Sequence, residues 1–302
     1  MSRFFCSIAS QENREQIFGT VPFIAKWLLV EYPAAWRNHA IEKSNFSEMV
    51  KRHLSSYADA VPNSRQILIR QAHKSRDGFV LCFVVNSRED EPEVGQLEVE
   101  SYDQLLNLNF ATLEHSAENQ KLDHPLFLVC THGTHDKCCA KFGLPVYKAA
   151  RQQAGDEAWQ CSHIGGDRFA ANLICFPHGI YYGHVTPADV EPILAAYRRG
   201  EIYLKNYRGR CCFPRAAQIA EYFIRSESGI KRIASLHFLT SKQTDAGTWR
   251  ASFTSRPDGN LHQVEFRVRE AQFNAYLTCS STTEKPMLRY ELSSYSVAQA
   301  QT

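Results

Sequence analysis

The stretch "VCTHGTHDKCCAKFG", residues 129–143, places three cysteines and two histidines within ten residues. A second stretch, "WQCSHIGGDRF" at residues 159–169, adds another Cys-x-His pair shortly downstream. Thiolates and imidazoles are the side chains that bind zinc or hold iron–sulfur clusters, and a thiolate is also a nucleophile. The two stretches therefore indicate either a metal site or a reactive thiol.

The elements around these stretches follow a regular order. "PLFLVC" predicts a short buried strand ending at Cys130, followed by a helix over 140–154 that ends at Gly155. "EAWQCSHIGG" predicts a second strand, and "FAANLICFP" and "IYYGHV" predict a hairpin. A last helix begins with Thr186 as N-cap and ends near Gly200. Strand, helix, strand, hairpin and helix is the order of a thioredoxin-like domain.

The N-terminal part predicts a mixed α/β region. "GTVPFIAKWLLVEYPAAW" is typical of a helix, or of a helix leading into a strand, that stops near Pro33. An amphipathic helix is expected over 46–60, and strands are expected in "RQILIRQ" and "GFVLCFVVN". The polar stretch "NSREDEPEVGQ" and the segment 113–123 are interpreted as loops or linkers.

The C-terminal third predicts a small α+β appendage. A helix is expected over 214–226, and strands are expected over 233–240, 248–255 and 262–269. The fold class is therefore α/β, or α+β overall, with a central thioredoxin-like domain. The predicted domains are 1–115, 124–205 and 206–302.

Composition excludes several classes of protein. The chain has 302 residues, 44% of them hydrophobic, and Lys plus Arg number 34 against 32 for Asp plus Glu. This balance argues against a dedicated nucleic-acid binder. The sequence contains no apolar run long enough to span a membrane, and its start lacks the apolar region of a signal peptide. We therefore expect a cytoplasmic protein, in which ten cysteines are unlikely to form five disulfides.

The cysteines and histidines are expected to converge on one place. Cys130 ends a strand, and Cys138 and Cys139 lie at the start of the next helix, where the helix dipole favours thiolates. His163 and Asp167 flank "IGG" after the next strand, at the edge of an α/β sheet where ligands usually bind. By contrast, Cys82 and Cys175 sit in apolar strands and are interpreted as inert core residues.

The spacing of the cysteines narrows the choice between kinds of metal site. Eight residues separate Cys130 from Cys139, which is not the paired C-x2-C or H-x3-H spacing of common zinc fingers. The same gap excludes a C-x-x-C dithiol oxidoreductase. Neighbouring cysteines cannot easily bind one ion, so we expect one ligand and one bystander in the Cys138–Cys139 pair.

The remaining polar residues have simpler interpretations. His132 and His135 are interpreted as loop histidines, at the surface or behind the ligands, and His178 and His184 as structural residues. Arg168 is expected either to support the site or to pair only with its neighbour Asp167.

Three long motifs carry a resemblance to a known family. "CTHGTHDKCCAKFGLPV", "CSHIGGDRFAANLICFPHGIYYGHVTP" and "YRGRCCFPRAAQIAE", with the opening "GTVPFIAKWLLVEYPAAW", resemble the sucrase/ferredoxin-like family over about residues 1–225. The resemblance implies a thioredoxin-like ferredoxin domain with a two-iron, two-sulfur cluster. In the eukaryotic branch of this family, two cysteines and two histidines of an H-x3-H element hold the cluster.

The resemblance places the cluster ligands on named residues. The two cysteines correspond to Cys130 and Cys139, and the first histidine corresponds to His163. The second histidine falls on Asp167, because this chain has "HIGGD" where that branch has "HIGGH", a variant associated with bacterial members. The fourth ligand is therefore open between Asp167, Cys161 and Cys138. The flanking Gly165, Gly166 and Arg168 are expected to support the cluster from behind its ligands.

These observations lead to a function with two alternatives. We expect an electron-transfer or redox-sensing protein that docks an unidentified redox partner, with Lys205, Arg208 and Arg210 either as a positive docking patch or as solvated charges. The alternatives are a thiol enzyme using Cys138 or Cys139, and a structural zinc module for protein interactions. A sucrase is excluded, because the sequence offers no paired carboxylates for glycoside hydrolysis.

Overall fold

The computed structural model describes residues 4–71, 78–110, 112–113, 120–256 and 258–299. Within these ranges the α-helices are α1 Cys6–Glu12, α2 Glu48–Ser55, α3 Tyr57–Ala60, α4 Lys137–Ala154, α5 Pro187–Arg198 and α6 Arg215–Ser228. Short 3-10 turns lie between them. None of the described helices combines the length and the apolar character that a membrane span requires.

Ten strands form one sheet. They are β1 Lys26–Glu31, β2 Ser64–Arg70, β3 Val80–Asn86, β4 Glu93–Val99, β5 Gln120–Lys121, β6 Leu126–Cys130, β7 Ala158–Cys161, β8 Leu173–Phe176, β9 Ile180–Tyr182 and β10 Tyr207–Arg210. Their spatial order is β10-β9-β8-β6-β7-β2-β1-β3-β4-β5. The fold is therefore α/β, as predicted.

The N-terminal and central regions share this sheet. Strand β2 pairs with β7 antiparallel, with Ile69 opposite Cys161 and Arg70 opposite Gln160. The pairing joins the strands of the N-terminal region to the strand that carries the second Cys-x-His motif. The boundaries 1–115, 124–205 and 206–302 stay a prediction, and the sheet continues across both junctions, since β10 follows residue 205.

The prediction of a helix in the opening stretch is wrong. Residues 26–31 form β1, which lies between β2 and β3 and ends two residues before Pro33. Trp27, Leu28, Leu29 and Val30 are all buried. A central strand buries both faces, so its apolar run lacks the alternation that marks a half-exposed strand and resembles a buried helix.

Three further N-terminal predictions need correction. The helix expected over 46–60 is interrupted at Ser56 into α2 and α3. The polar stretch 86–96 is not all loop, because its last residues belong to β4. The linker expected over 113–123 ends in β5, and its residues 114–119 lie outside the described residues.

The central region has the predicted order of elements. Strand β6 pairs with β7 in parallel and with β8 antiparallel, and β8 and β9 form the hairpin. Helices α4 and α5 pack against each other over this part of the sheet. Helix α4 begins at Lys137, three residues earlier than expected, because the Asp136 side chain accepts a hydrogen bond of 2.8 Å from the Cys138 amide.

The C-terminal region is a helix on a four-stranded antiparallel sheet. The strands, in spatial order, are β11 Leu236–Asp245, β12 Thr248–Ser255, β13 Leu261–Ala275 and β14 Lys285–Ala298. Helix α6 packs on all four strands. The α+β appendage is therefore confirmed, but β13 is longer than expected and β14 was not predicted. Strand β14 is mostly exposed, although its Leu288, Tyr290 and Leu292 alternate with Arg289 and Glu291.

Candidate metal centre

The candidate centre lies where two parallel strands end at the same edge of the sheet. Cys130 is the last residue of β6 and Cys161 the last residue of β7, and the two are register partners. The loop after β6 leads into α4, whose first turn carries Cys139. The loop after β7 carries His163 and Asp167. The fold thus brings two loops that are distant in sequence to one place.

Two buried thiols and one imidazole form the centre. One ligand atom from each of Cys130, Cys139 and His163 lies within 4.8 Å of the other two. Both cysteines are at most 1% exposed, and the His163 side chain is 22% exposed. The three residues predicted to bind a metal are therefore adjacent, with the imidazole on the side that faces solvent.

Asp167 belongs to a second group, with His135 and His163, that shares His163 with the first. Its Oδ1 lies 3.0 Å from His163 Nδ1 and accepts a hydrogen bond of 3.3 Å from the Cys139 thiol. Its Oδ2 lies 3.6 Å from Nε2 of His135. The carboxylate is thus positioned beside the same imidazole and thiol that a fourth ligand would have to join.

His135 is a candidate ligand that sequence reasoning did not select. Its ring stacks on that of His163 with centroids 3.7 Å apart, and its Nδ1 lies 3.4 Å from the Asn38 carbonyl. If Nδ1 carries the proton and donates to that carbonyl, Nε2 is free to bind a metal on the Asp167 side. The sequence did not indicate which of His132 and His135 faces the centre, because both lie in the same loop.

His132 is a positioning residue. Its Nδ1 accepts a hydrogen bond of 3.1 Å from the His163 amide, and its Nε2 donates to the Arg37 carbonyl at 2.7 Å. Both ring nitrogens are therefore engaged, which leaves none for a metal. His132 fixes the backbone that carries His163.

The donor set tests whether a metal fits. The buried Nδ1 of His163 lies 3.0 Å from Asp167 Oδ1 and forms an ion pair with it rather than an oriented hydrogen bond. A metal ion bound to this nitrogen would take the place of the proton that the ion pair holds. Two thiols, an imidazole nitrogen and a carboxylate are donors that suit iron or zinc.

Comparison with known proteins agrees with this donor set. The profile of the sucrase/ferredoxin-like family matches residues 17–209, about two thirds of the chain. The chain belongs to the sucrase/ferredoxin-like family. The matched range contains every residue of the candidate centre and stops before α6 and the C-terminal sheet.

Three fungal relatives share part of the chain, and each is named altered inheritance of mitochondria protein 32. The protein from Meyerozyma guilliermondii is 28% identical over 152 residues, which are 47% of this chain and 52% of that protein. The protein from Eremothecium gossypii is 28% identical over 32% of this chain and 36% of its own length. The protein from Debaryomyces hansenii is 31% identical over 30% of this chain and 38% of its own length. The chain thus spans about half or less of these relatives. No solved structure matches it.

Within the centre, the His163 imidazole and the Asp167 carboxylate shift each other's pKa. Burial alone would lower the pKa of His163, but Asp167 and the Cys130 thiol outweigh it and raise the pKa to about 9. Burial alone would raise the pKa of Asp167, but His135 and His163 lower it to about 2. The side chain at 167 is therefore a carboxylate at neutral pH, the form in which it can bind a metal.

The cysteine pair is also tightly coupled. The hydrogen bond from Cys139 lowers the pKa of Cys130, and the same interaction raises the pKa of Cys139. Cys161 is fully buried beside Cys130, and burial raises its pKa. Cys138 faces away from this group and lies instead with Cys6, Asp136 and Cys279. Of the alternatives for the fourth ligand, Cys161 is therefore near the centre and Cys138 is not.

Arg208 supports the centre from inside the protein. It is 1% exposed and donates to the Asn172 side chain at 2.7 Å and to the carbonyls of Gly165 at 3.3 Å and Thr20 at 2.9 Å. Gly166 has a φ of 81°, and a Cβ there would lie 2.5 Å from the Arg208 guanidinium. The Gly-Gly turn that carries Asp167 therefore rests directly on this arginine.

The basic segment is not a docking patch. Arg208 and Arg210 are each 1% exposed, and only Lys205 is exposed, where it binds Asp189 at 2.7 Å. The interpretation as solvated charges is also wrong for the two arginines. Arg168 does not pair with Asp167 either, because its Nε binds Glu15 at 2.7 Å. Of the two buried arginines, Arg208 supports the turn of the centre, whereas Arg210 lies between Glu89 and Glu221.

Proposed function

We propose that this protein holds a two-iron, two-sulfur cluster and serves in electron transfer or redox sensing. The observation that carries the proposal is the meeting of two buried thiols with the His163 imidazole, which Asp167 joins, beyond the ends of β6 and β7. A chain of the sucrase/ferredoxin-like family with this donor set has the ligands that such a cluster needs.

Cys130, Cys139, His163 and Asp167 would hold the cluster, with His135 as the alternative to Asp167. Such a cluster takes up and releases one electron. The chain shields the thiol side almost completely from water, whereas the His163 and His135 side chains are 22% and 31% exposed. A redox partner protein, unidentified by the sequence, would therefore approach from the histidine side.

Two alternatives make different predictions. A thiol enzyme using Cys138 or Cys139 requires access to the sulfur, but both residues are at most 1% exposed. A structural zinc module would use the same donors without redox chemistry. The thioredoxin-like character of the domain, the cytoplasmic location and the absence of a nucleic-acid partner stay predictions.

The decisive experiment is the visible spectrum of the full chain purified without oxygen, with iron and acid-labile sulfide counted per chain. We expect a red-brown protein with about two irons and two sulfides that bleaches on reduction with dithionite. A colourless protein containing zinc at this centre, identified by loss of that zinc in Cys130→Ala, would contradict the proposal.

The Asp167→His variant tests the fourth ligand. We expect it to keep the cluster and to have a higher reduction potential, on the order of 100 mV, because a neutral imidazole replaces an anionic carboxylate. Redox titration followed in the visible spectrum measures the shift. His135→Asn serves as the matched variant, because it should keep the cluster if Asp167 is the ligand. Cluster loss in His135→Asn with an unchanged potential in Asp167→His would assign the fourth ligand to His135.

A further inference from the structure

A second group of sulfur atoms lies on the other side of the start of α4. The Sγ atoms of Cys6, Cys138 and Cys279 form a triangle with edges of 3.6 Å, 3.2 Å and 3.5 Å. Asp136 is the fourth member, and one ligand atom from each of the four lies within 4.8 Å of the others. Sequence separates Cys6 from Cys279 by 273 residues, so only the fold shows this group.

The nearly equal edges of the triangle argue against a disulfide. A disulfide joins two sulfurs at about 2.05 Å and would leave the third cysteine apart. Zinc bonds of about 2.3 Å to tetrahedral thiolates separate the sulfurs by about 3.8 Å. The observed edges approach that value, so a small expansion would admit one zinc ion.

Backbone amides arrange these side chains. The Cys279 amide donates to Asp136 Oδ2 at 2.6 Å, the Cys138 amide donates to Oδ1, and the Cys6 amide donates to the Cys279 sulfur at 3.4 Å. A carboxylate offers about four lone pairs, so Asp136 can accept both amides and still bind a metal. Amide donors to thiolate sulfur are typical support for metal-bound cysteines.

The position of the group suits a structural metal. Cys6 begins α1, Cys138 lies in the first turn of α4, and Cys279 lies in the connection between β13 and β14. Cys6 and Cys138 are at most 1% exposed, whereas Cys279 is partly exposed and leaves a path for an ion. One ion here would connect the N-terminal helix, the central region and the C-terminal sheet.

We propose that Cys6, Cys138 and Cys279 bind one Zn²⁺ ion, with the carboxylate of Asp136 as the fourth ligand. Three thiolates and a carboxylate complete a closed tetrahedral site, the form that structural zinc sites take. The neighbouring cysteines then serve two separate metals, Cys138 the zinc and Cys139 the iron–sulfur cluster of the proposed function. The zinc site itself does not depend on that cluster.

The test is metal analysis of the full chain, purified under reducing conditions and incubated with an equimolar amount of zinc chloride before desalting. Wild-type protein is expected to keep about one zinc per chain. Zinc should fall about tenfold in Cys138→Ala and in Cys279→Ala, while iron and sulfide stay near their wild-type values. Cys139→Ala should show the opposite result, with zinc kept and iron lost.

Cys279→Ala is the safer variant because its side chain is partly exposed, so its folding can be verified by circular dichroism. A second measurement uses cobalt in the Cys139→Ala chain, which should give the visible bands of tetrahedral Co²⁺ bound by thiolates. Less than a tenth of a zinc in wild-type protein, or equal zinc in Cys279→Ala and wild type, would overturn the proposal. The proposal would also be overturned if mass spectrometry of the reduced, thiol-blocked chain detected a disulfide among these cysteines. Absence of iron alone would count only against the proposed cluster.

Discussion

Replacing Cys139 with alanine is expected to remove iron and acid-labile sulfide together, to less than about a tenth of the wild-type content. The thiol is 1% exposed and lies with Cys130 and His163, so no solvent ligand can replace it easily. Cys130→Ala should have the same effect. Metal analysis and the visible spectrum of protein purified without oxygen measure both.

Cys175→Ala is the matched control for this experiment. Cys175 is also fully buried, but it belongs to β8 and packs in the core cluster below α4 and α5. Its replacement should cost some stability through the lost sulfur volume and should leave the spectrum unchanged. Iron and sulfide retained in both Cys130→Ala and Cys139→Ala would refute the ligand assignment.

Replacing Arg208 with methionine is expected to destabilise the protein by roughly 3–5 kcal/mol, because it leaves several buried acceptors without a donor. Those acceptors are the carbonyls of Thr20 and Gly165 and the side chain of Asn172. The same change loosens the turn that carries Asp167, so cluster content should fall as well. Urea unfolding followed by circular dichroism measures the change in the free energy of unfolding.

Lys205→Met provides the comparison within the same basic segment. The Lys205 side chain is 66% exposed and makes one surface ion pair with Asp189. Its loss should leave the unfolding midpoint nearly unchanged. If the two variants unfold at the same urea concentration, Arg208 does not support the centre in the way the structure indicates.

Local sequence patterns were sufficient where each element buries its own apolar residues. The run "PLFLVC" locates β6, Gly155 locates the end of α4, and the Thr186-Pro187 start locates α5. The sequence analysis overlooked β14, although its Leu288, Tyr290 and Leu292 alternate with charged residues. It left β1 ambiguous between a helix and a strand, because burial on both faces removes the alternation of a strand.

The candidate site also contains residues that the sequence predicted and residues that it did not. Cys130, Cys139 and His163 follow from strand ends and a specific motif, and all three lie together. The role of Arg208 could not be predicted, because its partners come from residues 20, 165 and 172 and an arginine is usually exposed. The sulfur triangle of Cys6, Cys138 and Cys279 likewise depends on contacts between distant parts of the chain.

The pairing of β2 with β7 has a consequence for aggregation. Strand β7 has β6 on one side and β2 on the other, so its backbone groups never meet solvent as a free edge. A shorter chain covering only 124–205 would lack β2 and would expose the unpaired amides and carbonyls of β7. An exposed apolar edge next to the metal ligands is a template for pairing with other chains. The N-terminal strands therefore protect the centre against self-association.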